Sequence, residues 1–300
     1  MQRMWGVKKV FSMFMFLALT VSILLTACGG GGGSDGGGGN NDGGGGGGGV
    51  KQGRFIDSSV GGLRYISGSQ SGFTNAQGTF SYDEGAIAQF FIGDIVIGGA
   101  AANSIMTPVS LVQATADETN PTVTNIARFL QTLDNDGNPS NGITITTAVN
   151  NLAVGRTINF NQNIANFGND TNVQTVVSDL TGVTLAGTRP LVSISSAQNN
   201  LRAAILGILS GNYSGTFSGD ASGTWTIVID SSGNISGTAV NSDSSTAAVT
   251  GTVGSNGIAI MGIVATGATF SGTITITGQV SGTWVDTSAG ESGTFSGSKQ

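Results

Sequence analysis

A four-residue phrase constrains this chain more than any other feature: a small hydroxyl residue, glycine, threonine and usually an apolar side chain, repeated from residue 214 onward. It stands at Ser214-Gly215-Thr216-Phe217, Ser222-Gly223-Thr224-Trp225, Ser236-Gly237-Thr238-Ala239, Thr250-Gly251-Thr252-Val253, Ser271-Gly272-Thr273-Ile274, Ser281-Gly282-Thr283-Trp284 and Ser292-Gly293-Thr294-Phe295. The spacing is irregular, which argues against a solenoid. Between phrases the chain alternates, with Trp225, Ile227 and Ile229 on one face and Thr224, Thr226 and Val228 on the other. That is the period of a strand with one buried side. Asp230-Ser231-Ser232-Gly233 and Asn256-Gly257 supply tight turns. About eight strands with short connections predict an antiparallel eight-stranded up-and-down barrel over residues 211–300, since that number closes a sheet on itself and removes exposed edges.

The Gly-Thr-Trp phrases at residues 223–225 and 282–284 make this segment resemble the avidin and lipocalin barrels. The resemblance implies a cup for a small apolar or glycan ligand, lined by Trp225, Trp284, Phe217, Phe270 and Phe295. The same five aromatics also serve a simpler role as the barrel's own core, because eight strands enclose only enough space for side chains.

The opposite end of the chain reads as an address. Arg3, Lys8 and Lys9 precede an apolar run from Val10 to Leu25, and Leu25-Thr26-Ala27-Cys28 follows. This is the layout of an export leader, and the last four residues resemble the bacterial lipobox. That resemblance implies cleavage after Ala27 and acylation of Cys28. Two or three acyl chains hold a protein stably at a membrane where one does not. Gly29 rather than aspartate after the cysteine implies, by resemblance to Gram-negative lipoproteins, the outer membrane, on either its periplasmic or its surface face. Glycine then fills residues 29–49, broken by Ser34, Asp35, Asn40, Asn41 and Asp42. With nothing apolar to bury, residues 28–52 read as a lipidated, disordered tether spanning roughly 25 Å. The GxSxG match at Gly32-Gly33-Ser34-Asp35-Gly36 lacks the flanking strand and helix a nucleophile elbow requires.

Residues 53–106 alternate short apolar runs with turns, as in Gly78-Thr79-Phe80-Ser81-Tyr82, and Asn75-Ala76-Gln77-Gly78 reads as a hairpin turn. Val60-Gly61-Gly62-Leu63 with Gly72-Phe73-Thr74-Asn75-Ala76-Gln77-Gly78-Thr79-Phe80 resembles the carboxypeptidase-regulatory-like β-sandwich modules, with Asn75 where aspartate is common. This implies a small non-catalytic β module. Residues 107–210 read as helical and packed on that module. Pro108 and Pro121 look like first-turn prolines capped by Thr107 and Asn120. Val123, Ile126, Ala127, Leu130 and Leu133 make one apolar stripe. Val173, Val176, Val177 and Leu180 make a second, after Asp170 and Thr171. Ala197, Leu201, Ala204, Ile205, Ile208 and Leu209 make a third, after Ser195 and Ser196. The segment 123–133 resembles one shared by uncharacterised Gram-negative outer-membrane lipoproteins. The predicted class is therefore mainly β with a helical middle: β-sandwich module, packed helices, barrel.

Function classes narrow on chemistry. Histidine is absent and Cys28 is the single cysteine, which removes the usual general base, the usual soft metal ligands and any intrachain disulfide. A net charge of −6 without a basic cluster argues against nucleic acid as a partner. Asp134, Asp136 and Asn138 alternate like the first ligands of a calcium loop, but Pro139 and Ile145 break the pattern, so the segment equally reads as a helix-ending Asx turn. The pairs Asp83-Glu84, Asp117-Glu118 and Asp134/Asp136 are the candidates for a carboxylate-based hydrolase, each placed in an expected turn or linker. The expectation is a non-enzymatic structural or binding module needing no cofactor, with the membrane as partner through its lipid anchor and an envelope protein, a glycan or a small apolar molecule as ligand.

Overall fold

Val50, the first residue past the glycine tract, opens the first strand of a computed structural model that describes residues 49–112, 116–263 and 267–300. Cys28 and the tract before Gly49 lie outside the described residues. The N-terminal module runs β1 (Val50–Phe55), β2 (Val60–Gly61), β3 (Arg64–Ser67), β4 (Gln70–Phe73), β5 (Thr79–Asp83), β6 (Ile87–Ile92), β7 (Ile95–Ala101) and β8 (Ile105–Met106). One sheet has the order β5-β1-β8 and the other β4-β3-β6-β7. Their inner faces meet through aromatic rings: Phe55 against Phe90 with centroids 4.6 Å apart, and Phe80 edge-on to Phe90 at 5.1 Å. Lys51 and Gln52 belong to β1, so the module starts ahead of the expected Gly53 boundary.

The turn at Asn75 is not a hairpin. Asn75 Oδ1 accepts from Gln77 N and Thr79 N, as an Asx turn does. The strands it joins belong to different sheets, β4 pairing with β3 and β5 with β1. The turn is therefore a corner between the layers.

The helical middle follows its apolar stripes. Helices α1 (Pro121–Thr132), α2 (Thr147–Leu152), α3 (Ile164–Asn169), α4 (Thr171–Thr181) and α5 (Ile194–Leu209) succeed one another, with β9 (Ile143–Thr144) pairing parallel to β2. Asn120 caps α1 by accepting from Thr122 N and Val123 N, and Asp170 caps α4. The cap of α5 is Ser193 rather than the expected Ser195 or Ser196. Pro108 begins only one 3-10 turn (Val109–Leu111), because Val112 leaves helical geometry with φ −111° and ψ −110°. Among the described residues no helix is long and apolar enough to cross a membrane.

The barrel closes as expected. Strands β10 (Gly211–Gly219), β11 (Gly223–Ile229), β12 (Asn234–Asn241), β13 (Thr246–Val253), β14 (Ile258–Ile263), β15 (Thr269–Ile274), β16 (Gln279–Asp286) and β17 (Glu291–Lys299) pair antiparallel in sequence order, and β17 returns to β10. The C-terminal part of α5 packs on one end of this cylinder, Leu206 lying over Gly233. Its last carbonyls are taken up by barrel side chains: Tyr213 Oη donates to Leu209 O at 2.6 Å and Lys299 Nζ to Ile208 O at 2.7 Å. Helix α1 belongs to two cores. Val123 and Ala127 join the barrel-side cluster, while Ile126, Phe129, Leu130 and Leu133 join that of the N-terminal module. The described residues, from Gly49 onward, form one compact unit.

Candidate functional site

The barrel interior explains the repeated phrase. In every copy the glycine points inward, and most stand opposite a large inward side chain on the next strand: Gly215 against Trp225, Gly223 against Phe217, Gly237 against Ile227, Gly251 against Met261, Gly282 against Phe295 and Gly293 against Trp284. Gly272 pairs with Gly282, and both lie beneath the Phe295 ring. A Cβ built on Gly293 would sit 2.0 Å from Ser218 O and 2.5 Å from Trp284 Nε1, and one on Gly215 would sit 2.0 Å from Ser296 O. The rings thus lie on bare backbone, which is how bulky aromatics fit inside a narrow cylinder.

The five candidate cup residues do come together. Phe217 and Trp284 meet edge-on at 6.1 Å, Trp225 and Phe295 at 6.3 Å, and Phe270 touches both Trp284 and Phe295. Each indole is anchored to the wall, Trp225 Nε1 donating to Thr216 O and Trp284 Nε1 to Ser218 O, both at 3.2 Å. The space left at the centre, beside Trp225, Met261, Phe270 and Phe295, is about 10 Å³. At the mouth opposite α5 a hollow of about 110 Å³ has Phe217, Phe270 and Trp284 as its floor and Asn241, Asp286 and Glu291 among its polar lining. Ligand pockets for drug-sized molecules span roughly 300–1,000 Å³. The ring cluster therefore packs as a core, with a shallow aromatic dish above it.

The Asp134 loop is held by its own bonds. Asp134 accepts from Asn138 N and Thr144 N, both at 2.8 Å, and Asp136 from Asn138 N and Asn141 Nδ2, both at 2.9 Å. Burial raises the Asp134 carboxyl above its ordinary range, while the Asn141 amide, Asp134 and Asn138 N lower Asp136 to about 2. Asn138 Oδ1 is turned to Ser140 Oγ. This is the geometry of an Asx-type loop, and among the described residues no group of three or more acidic, histidine or cysteine side chains is positioned to hold an ion.

The remaining acid pairs diverge. Asp83 accepts from Ser69 N and Gln70 Nε2, while Glu84 forms an ion pair with Lys51. Asp117 caps its own turn at Thr119. Glu118, although it lies in the expected turn, is buried: it pairs with Arg202 at 3.1 Å and accepts from Ser255 Oγ, joining α5 to the barrel turn after β13.

No family model, curated protein or solved structure matches the chain.

Among the described residues, the buried charged groups that escape a reading of the sequence include Asp286 on β16 and three that join distant segments of the chain. Glu118 is one. Asp57 is fully buried, with Gln131 Nε2 donating to Oδ1 at 2.9 Å and Oδ2 left without a partner. Desolvation pushes its carboxyl up to about 7, against the pull of the Gln131 and Asn200 amides. Arg128 is the third, on the helix shared by both cores. The signal available for it was a lone cation inside the α1 stripe, immediately after Ala127 and before Phe129.

Proposed function

We propose that this chain is a lipid-anchored lipoprotein of the bacterial outer membrane, a non-enzymatic structural or binding module carried on a glycine tether. The observation that carries the reading is the single cysteine at the end of a lipobox-like leader, followed at once by glycine. Support also comes from the order of the sequence, in which glycine, with nothing apolar to bury, fills the stretch between Cys28 and the first strand at Val50. The carboxylates considered for hydrolysis each have a partner within the scaffold, consistent with structural roles. The surfaces available for a ligand include the aromatic dish at the barrel mouth.

Metabolic labelling with a clickable fatty-acid analogue tests the reading. The wild-type protein takes up label and sediments with membranes, whereas Cys28→Ser is unlabelled and leaves the membrane fraction. Equal absence of label from both, with both soluble, overturns it.

A further inference from the structure

We propose that the cavity between α1, α3, α4 and the strap before α5 is a binding site for a small carboxylate with a short aliphatic tail, recognised by Arg128. The cavity holds about 430 Å³, within the range of small-molecule sites. Arg128 is 8% exposed. Its Nε donates to Val192 O at 2.9 Å, and among the described residues neither Nη1 nor Nη2 has an acceptor. Both Nη atoms lie beside Gly168, which lines the cavity, within 3.7 Å of where a Cβ there would stand. The ion pairs of the described residues lie elsewhere, at Lys51–Glu84, Arg156–Asp179 and Arg202–Glu118.

A guanidinium cannot shed its charge as a lysine can, and a buried charge without a counter-charge is costly. The fold keeps one here and leaves open space in front of it. Arg189 also lines the cavity, but its guanidinium is already bonded to Asp134 O, Thr184 Oγ1 and Gly187 O. One free planar fork matches one monoanion, and a carboxylate accepts from it through two parallel bonds. A phosphate dianion would remain half-neutralised, because the Asp134 and Asp136 carboxylates already oppose the Arg189 charge. Val177, Pro190 and Leu191 give the walls an apolar stretch suited to an aliphatic tail, while Ser178 and Thr188 add hydroxyls. The proposal does not depend on the anchor at Cys28.

Isothermal titration calorimetry of the detergent-solubilised full-length protein with sodium butyrate, butyramide and inorganic phosphate tests it. Butyrate binds in the millimolar range, and both butyramide and phosphate bind at least about tenfold more weakly, a difference of about 1.4 kcal/mol. Arg128→Gln loses butyrate binding by a similar or larger factor. Ser178→Trp, an exposed position on the cavity rim, blocks entry while leaving Arg128 and the core in place, so the test survives if Arg128→Gln does not fold. No heat from butyrate, equal affinity for the amide, phosphate binding as tightly as butyrate, or undiminished binding by either folded variant overturns the proposal.

Discussion

Asp57 has no exposed surface, one unpartnered carboxyl oxygen and a proton affinity shifted to about 7. In the unfolded chain it releases its proton near the ordinary aspartate value of 3.8, so between about pH 4 and 7 the folded state holds a proton that the unfolded state has lost. Its contribution to stability is complete below the lower value and disappears as pH rises through the upper one, by about 1.4 kcal/mol per unit of difference. Asp57→Asn should therefore raise the melting temperature at neutral pH and flatten its fall across that window; parallel melting curves against pH for the two proteins would refute the assignment. Asp57, Glu118 and Arg128 share one reason for being hidden in the sequence. Their burial is set by partners distant along the chain, such as Gln131 for Asp57 and Ser255 for Glu118, and a local pattern of polar residues does not carry that information.

Among the elements, legibility followed the range of the interactions. Helices α1, α4 and α5 could be read because their stripes and the caps Asn120 and Asp170 act within a turn or two. The corner at Asn75 was misread for the complementary reason: its turn chemistry is local, but the choice of β1 rather than β4 as partner for β5 is not. The barrel strands were legible from alternation, whereas the purpose of their glycines required the register that sets each against a ring. Two substitutions separate these effects. Gly215→Ala drives a methyl group into Ser296 O and the Trp225 ring, and should cost at least about 1–3 kcal/mol. Gly207→Ala, on an exposed stretch of α5 with nothing within 4 Å, should stabilise by about 0.5–1 kcal/mol. Chemical denaturation of both variants checks the pair, and equal effects would remove the packing account of the repeated phrase.

For the folded unit as a whole, the layers are joined through α1, which contributes to both cores, and through the Glu118–Arg202 pair beside the barrel turn. The boundaries expected at residues 107 and 211 therefore mark changes of secondary structure within one compact unit. Both tryptophans of the described residues, Trp225 and Trp284, lie in the barrel, while the helices dominate the far-ultraviolet circular dichroism. Thermal unfolding followed by tryptophan fluorescence and by circular dichroism should give coincident transitions, and a separate, later barrel transition would show that α1 does not couple the layers. The seam between β10 and β17 adds a constraint of time. The first strand of the cylinder must wait for its other neighbour until the chain has been made through Lys299, whose amine also finishes the end of α5. Until then the aromatic interior has no wall on one side, so closure is a late, long-range step that waits on the synthesis of β17.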